Sequence, residues 1–280
     1  MERAAGIEPA SSAWKAEVLP LHNARSARYE VCEVICEVKQ ATAAMEVKLM
    51  EKAEAIIIGA GDGLSASLAR ELGRDHQVTL AARSSVKMNV VAAATGARTA
   101  ILDATDEAAV EALFDALPVP PRVVIYNPSY RVRGPVAELD TAEVRRAVEV
   151  TAIGAFLAGK HAARRMLMAD AVAGCRGTIL FTGASAGVKG FPLSAPFAMG
   201  KFAQRGLAES MARELHPKGI HVAWINIDGM ILNPGRSEPA DRPASMLRPD
   251  AIARTYRHLI EQDPSAWSNE ISVRPWVETF

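Results

Sequence analysis

From Met50 onward, short unbroken apolar runs alternate with longer stretches in which apolar residues return every three or four positions. The runs predict strands at Ala55–Ile58, Val78–Ala81, Thr99–Leu102, Val123–Tyr126, Thr178–Phe181, His221–Ile227 and Glu270–Val273. The periodic stretches predict helices at Leu64–Leu72, Val86–Ala94, Glu107–Leu117, Phe197–Leu215 and Asp250–Ile260. A further, long helix is expected from a Thr141 cap to about Ala169. Strands apolar throughout are buried on both faces, and their alternation with helices implies a parallel sheet covered on each side. The expected fold class is α/β: one doubly wound domain with a seven-stranded parallel sheet.

Residues 1–49 break this pattern. Pro9, Pro20, Trp14, His22 and scattered charges follow neither period. No continuous apolar stretch follows a basic start, as a secretory signal requires. Glu2, Glu8 and Glu17 interrupt the acid-free composition of a transit peptide. The stretch Gly6 to Pro20 resembles peptides produced when a gene start is read too far upstream, with Met45 and Met50 as the candidate starts. Residues 1–49 are therefore expected to be a disordered or loosely helical extension. Residues 50–280 are expected to be the functional domain.

Charge and cysteine content narrow the partners. Lys and Arg number 32, as do Asp and Glu. A net charge of zero gives no electrostatic reason to expect nucleic acid or an anionic membrane. No apolar run approaches the roughly 20 residues that span a bilayer. The cysteines are Cys32, Cys36 and Cys175, an odd and sparse set that fits a reducing cytoplasm. Cys32 and Cys36 could share a helical face, but a zinc site needs two more ligands and only His22 lies near. Incidental thiols and no metal are expected.

The strand at Ile56–Ile58 runs into Gly59-Ala-Gly61-Asp62-Gly63-Leu64-Ser65 and then at once into a helix. This is the context of a dinucleotide-binding loop on a Rossmann-type fold. Glycines allow backbone N–H groups to approach a pyrophosphate, and the helix N-terminus adds unpaired donors. Strict G-x-G-x-x-G spacing fails, because Leu64 stands at the third glycine. Twenty residues after Gly63, where a carboxylate would bind the ribose 2′-hydroxyl of NAD, stands Arg83, followed by Ser84. Arg83 cannot accept that hydrogen bond but can pair with a 2′-phosphate, and Ser84 can donate to it. NADP is therefore expected rather than NAD; the alternative is a solvated surface arginine.

Gly59-x3-Gly63-x-Ser65, Asn127-Pro128-Ser129, Ser185 and Phe197-x3-Lys201 come in the order and at the separations of the short-chain dehydrogenase/reductase family, which this chain resembles from about Met50 to Phe280. The resemblance implies that Asp103, with Ala104, meets the adenine amino group, unless Asp103 caps the next helix. It implies that Asn127, Pro128 and Ser129 line the cofactor, and that Gly229, Met230 and Ile231 meet the nicotinamide carboxamide. It implies that Ser185 polarises a substrate carbonyl, with Thr182 as runner-up and a loop serine bonded to its own backbone as the alternative. Lys201 would bind the nicotinamide ribose. The chain departs from the family in two places. Phe197 stands where the family has its acid/base tyrosine, and Thr151 where it has the Asn that anchors a water relay. Asp228, at the end of its strand, is a candidate replacement acid or else a loop cap.

These residues point to an oxidoreductase for a small-molecule carbonyl or alcohol with an atypical proton donor. The alternatives are a nucleotide-binding sensor or scaffold without turnover, and an isomerase or dehydratase on the same fold. An apolar substrate pocket is expected from Phe191, Pro192, Leu193 and the segment Met230–Met246. The resemblance also implies a homodimer or homotetramer formed through the long helix and the Phe197 helix. The small residues Ala152, Gly154, Ala155, Gly206 and Ala208 would permit close approach there.

Overall fold

A computed structural model of the chain describes residues 52–278. The expectations for residues 1–49, with Cys32, Cys36 and the candidate starts, lie outside them. The strands of the main sheet are β1 (Ala53–Ile58), β2 (His76–Ala82), β3 (Arg98–Ile101), β4 (Val123–Tyr126), β5 (Gly177–Thr182), β6 (Ile220–Ile227) and β9 (Glu270–Val273). All are parallel, in the order β3-β2-β1-β4-β5-β6-β9. β4, β5 and β6 are buried along their whole length, which is why they read as unbroken apolar runs. A second ribbon, β7 (Met230–Ile231) with β8 (Met246–Leu247), is too short to leave a period in the sequence.

Two helical layers cover the sheet. On one face α1 (Leu64–Leu72), α2 (Ser85–Thr95) and α7 (Pro249–Ile260) pack Leu68, Met88, Ile252 and Tyr256 against β1, β2 and β6. On the other, α3 (Glu107–Asp115), α5 (Gly154–Leu167) and α6 (Ala195–Leu215) pack Phe114, Ala158, Met166 and Ala212 against β4, β5 and Trp224 of β6. The chain leaves β1 in one direction toward β2 and β3, and returns to start β4 on β1's other side. At this switch point the carboxyl ends of β1 and β4 diverge into a crevice. No helix among the described residues is long and apolar enough to cross a membrane.

The expected long helix is two. α4 (Thr141–Val148), capped by Asp140, passes into α5 through a widened π turn at Glu149–Ile153. Its cause lies in β4: the buried Tyr126 hydroxyl donates to the Val150 carbonyl, drawing it away from the helical ladder. Gly154 completes the arrangement, because a Cβ there would lie 2.2 Å from the Tyr126 hydroxyl and 2.9 Å from the Ala104 carbonyl. The turn presents Thr151 to α6.

Candidate functional site

The glycine loop follows β1 in a strained path. Gly59 takes φ +84°, and a Cβ there would lie 2.7 Å from the Pro128 ring. Ser65, at the position of the third family glycine, donates to the Gly59 carbonyl at 3.0 Å and accepts from Asn127 Nδ2 at 2.9 Å. Asn127 thus ties the end of β4 to the loop. Gly61 faces open space, and Gly63 opens α1 without a side-chain cap, so helix N–H groups remain for a ligand. Asp62 is ion-paired with Lys87 of α2 at 3.0 Å across the mouth of the crevice.

The crevice is a cleft of about 850 Å³. Of the residues expected to hold a cofactor, Gly59, Arg83, Ser84, Asp103, Ala104, Asn127, Pro128 and Ser129 line it. Ser84 occupies the N-cap position of α2, yet its hydroxyl makes no capping bond. Asp103 does not cap α3; Asp106 does, accepting from the Ala109 N–H. Asp103 Oδ1 instead accepts from the N–H and hydroxyl of Thr105, and these bonds hold its carboxyl below the usual carboxylate range, aided by the Arg83 and Arg146 charges.

The second cluster lies beside the cleft. Ser185 begins a short 3-10 turn after β5, is half-buried, and its hydroxyl has no hydrogen-bond partner among the described residues. The alternative of a serine bonded to its own backbone is not realised. Thr182 is not a substitute, since its hydroxyl is buried against Tyr256 Oη at 2.8 Å. Lys201 is buried and turned inward, donating to the Thr182 carbonyl at 2.5 Å and to Gln204 Oε1 at 3.2 Å. Burial without a carboxylate, and secondarily the Arg131 charge, push its ammonium down to about 7. Gln204 Nε2 in turn donates to the Thr151 carbonyl at 3.2 Å. Gly200 permits this close packing, because a Cβ there would lie 2.8 Å from the Thr151 side chain. Phe197 is buried under the guanidinium of Arg131, which sits 4.4 Å from the ring centroid.

The family model for "short chain dehydrogenase" matches residues 53–239. The chain belongs to the short-chain dehydrogenase family. It is 31% identical to (+)-borneol dehydrogenase 1 of Salvia officinalis over 194 residues, covering 66% of this chain and 72% of that one. Four further curated relatives are matched over 59% or less of their own length. Among solved structures, a short-chain dehydrogenase from Rhodopseudomonas palustris is 34% identical at TM-score 0.67, covering 80% of this chain and 99% of that one. A metagenomic short-chain oxidoreductase in complex with NADP is 25% identical at TM-score 0.67, covering 81% and 99%.

Within the short-chain dehydrogenase frame several expectations change. Gly229 takes φ +152°, where a Cβ would meet Pro275 and Leu247, Met230 is exposed, and Ile231 pairs with Leu247; like Gly61, Asp62, Gly63, Leu64 and Lys201, the three are not among the residues lining the cleft. Phe191, Pro192 and Leu193 stand exposed instead of walling an apolar pocket. Asp228 is ion-paired with Arg274 at 3.2 Å, and its N–H bonds the Val273 carbonyl. Its carboxylate therefore fastens the C-terminal segment to β6. No cluster of metal-ligating side chains occurs among the described residues.

Three contributors escape sequence reasoning. Gln204 stands three residues after Lys201 on the same helical face, a signal that was available. Asn233 carries a buried Oδ1 without a partner, and a Cβ on Gly63 would lie 2.2 Å from that oxygen. A polar group left over against the glycine loop fits a site shaped for a phosphate, with the amide turned to donate. Arg131 left no period or motif, and only the fold sets it over Phe197.

Proposed function

We propose that this protein is an NADP-preferring oxidoreductase for a small-molecule carbonyl or alcohol, in which Phe197 has displaced the usual acid/base hydroxyl. The observation that carries the reading is the cleft at the switch point, walled by Gly59 and Ala60 of the glycine loop and flanked by Arg83 and Ser84. In that cleft the loop and the N-terminus of α1 would take the pyrophosphate, with Asn233 as a further donor. Arg83 and Ser84 would hold the 2′-phosphate, and Asp103 the adenine. The bound dinucleotide supplies or accepts a hydride. Ser185, with its free hydroxyl, would polarise the substrate oxygen. The proton would come from water, since Phe197 has none to give and Asp228 is engaged by Arg274. Gln204 does the structural work expected of an Asn at residue 151, linking the lysine to the π turn.

A second reading is an NADP-binding sensor or scaffold without turnover. It is favoured by the inward turn of Lys201, which leaves no ammonium in the cleft. We also propose a homodimer or homotetramer working in the cytoplasm.

Phe197→Tyr separates the two readings. General acid catalysis contributes about 10²–10⁴-fold. Under the first, wild-type turnover with NADPH on a panel of aldehydes and ketones is slow, and the variant raises kcat by up to that factor. If NADPH binds and neither protein turns over, the non-catalytic reading takes its place. Brisk wild-type turnover unimproved in the variant would show that another side chain gives the proton.

A further inference from the structure

Arg131 occupies an unusual place. It follows Tyr130, which pins the loop after β4: the Tyr130 N–H reaches Thr151 Oγ1 at 3.4 Å, and its hydroxyl donates to Glu143 at 2.7 Å. The Gly134 N–H binds the Leu193 carbonyl at 3.1 Å and fixes the loop's far side. Between these two anchors the Arg131 guanidinium lies against the face of Phe197, at the position where the family keeps its tyrosine. Cation–π contact orients it but does not neutralise it.

The charge around it is of one sign. Partial burial of its side chain, and secondarily the Arg133 and Arg236 charges, hold Arg131 below the usual arginine value, and Arg131 in turn adds a smaller push to that of burial on Lys201. No carboxylate among the described residues is ion-paired with Arg131 or Arg133. Arg236 donates to a backbone carbonyl, that of Ile231. Arg131, Arg133 and Arg236 are exposed, so each guanidinium can take an anion from solvent without first breaking an ion pair. A guanidinium matches a carboxylate with two parallel hydrogen bonds, which a water molecule cannot do.

We infer that Arg131, supported by Arg133 and Arg236, is a specificity-determining residue that selects substrates carrying a carboxylate beside the reacting carbonyl or alcohol. The inference rests on the oxidoreductase reading for the nature of the reaction, though not for the binding of the anion. A cofactor phosphate is the other possible source of the same chemistry. Arg131 sits over Phe197 and is not among the residues lining the cleft that Arg83 lines, which favours the substrate.

The test compares benzoylformate, whose carboxylate adjoins its keto group, with its neutral methyl ester. Dissociation constants are measured by calorimetry on the full chain, with and without NADPH, for wild type, Arg131→Ala and Arg131→Lys, after circular dichroism has confirmed that each is folded. The acid should bind more tightly than the ester by about ten-fold or more, the scale of one charge-assisted hydrogen bond. Arg131→Ala should erase that margin and leave NADPH affinity unchanged; Arg131→Lys should keep part of it. Equal binding of acid and ester by wild type overturns the inference. So does a margin that survives Arg131→Ala, or a loss in that variant confined to NADPH, which would assign the cluster to the cofactor. If wild type binds no NADPH at all, the oxidoreductase reading fails, and the acid–ester margin of the free protein still decides the role of Arg131.

Discussion

At Lys201 the cost of burial falls on a single ammonium group. Thr182 and Gln204 give it two acceptors, but neither carries charge, and the protonated form is disfavoured as far as about 7. Between that value and the ordinary 10.5, the unfolded chain holds a proton at Lys201 that the folded chain lacks. This group therefore makes stability rise with pH through that window, and its penalty is constant below it. Lys201→Met removes the dependence. The melting temperature of wild type relative to Lys201→Met should climb from about pH 7 toward pH 10; parallel curves for the two proteins would show that the amine is solvated. The residue scale is also where the sequence was least legible. Phe197, Thr151 and Lys201 stand out in the sequence only through the family resemblance. The direction in which Lys201 points, and the Gln204 that turns it inward, depend on packing between α6 and the π turn, which no local pattern records.

Elements were more legible than their joints. β4, α1 and β9 fall on their expected residues because each is bounded by glycine, proline or charge. The break between α4 and α5 was not legible, since its cause is the Tyr126 hydroxyl on a distant strand. The glycine loop shows the converse, a local motif with a tertiary reason. Gly59 combines a left-handed φ of +84° with Pro128 2.7 Å from any Cβ, so Gly59→Ala meets both backbone strain and overlap. It should cost about 1–3 kcal/mol in urea unfolding and weaken NADPH binding in parallel. A Gly59→Ala protein with wild-type stability and affinity would mean that the loop relaxes freely. Gly63 differs, because the atom in the way is the end of the Asn233 side chain and not a ring or backbone.

For the molecule as a whole, alternating apolar runs carried the parallel sheet and its two helical layers, and chain connectivity placed the cleft at the switch between β1 and β4. The assembly surface needs revision. Ala152, Gly154, Ala155 and Ala208 pack into the interior, so four of the five small residues expected at an interface serve the core, while Gly206 is exposed. What α5, α6 and the π turn expose is larger: Ile153, Phe156, Met199 and Phe202, each close to half exposed or more. We propose these exposed apolar side chains as the association surface. A double change, Phe156→Glu with Phe202→Glu, should shift the mass in light scattering from dimer or tetramer to monomer while leaving the fold intact. A wild-type monomer at micromolar concentration would contradict the proposal.

The central proposal is that the cleft takes NADP although Phe197 stands in place of a proton donor. Arg83 makes it testable without any substrate. Titration of nicotinamide fluorescence should give a lower dissociation constant for NADPH than for NADH in wild type and in Phe197→Tyr alike, and Arg83→Ala should close most of the gap by weakening NADPH alone. Equal affinities in wild type, or a preference untouched by Arg83→Ala, would contradict the account.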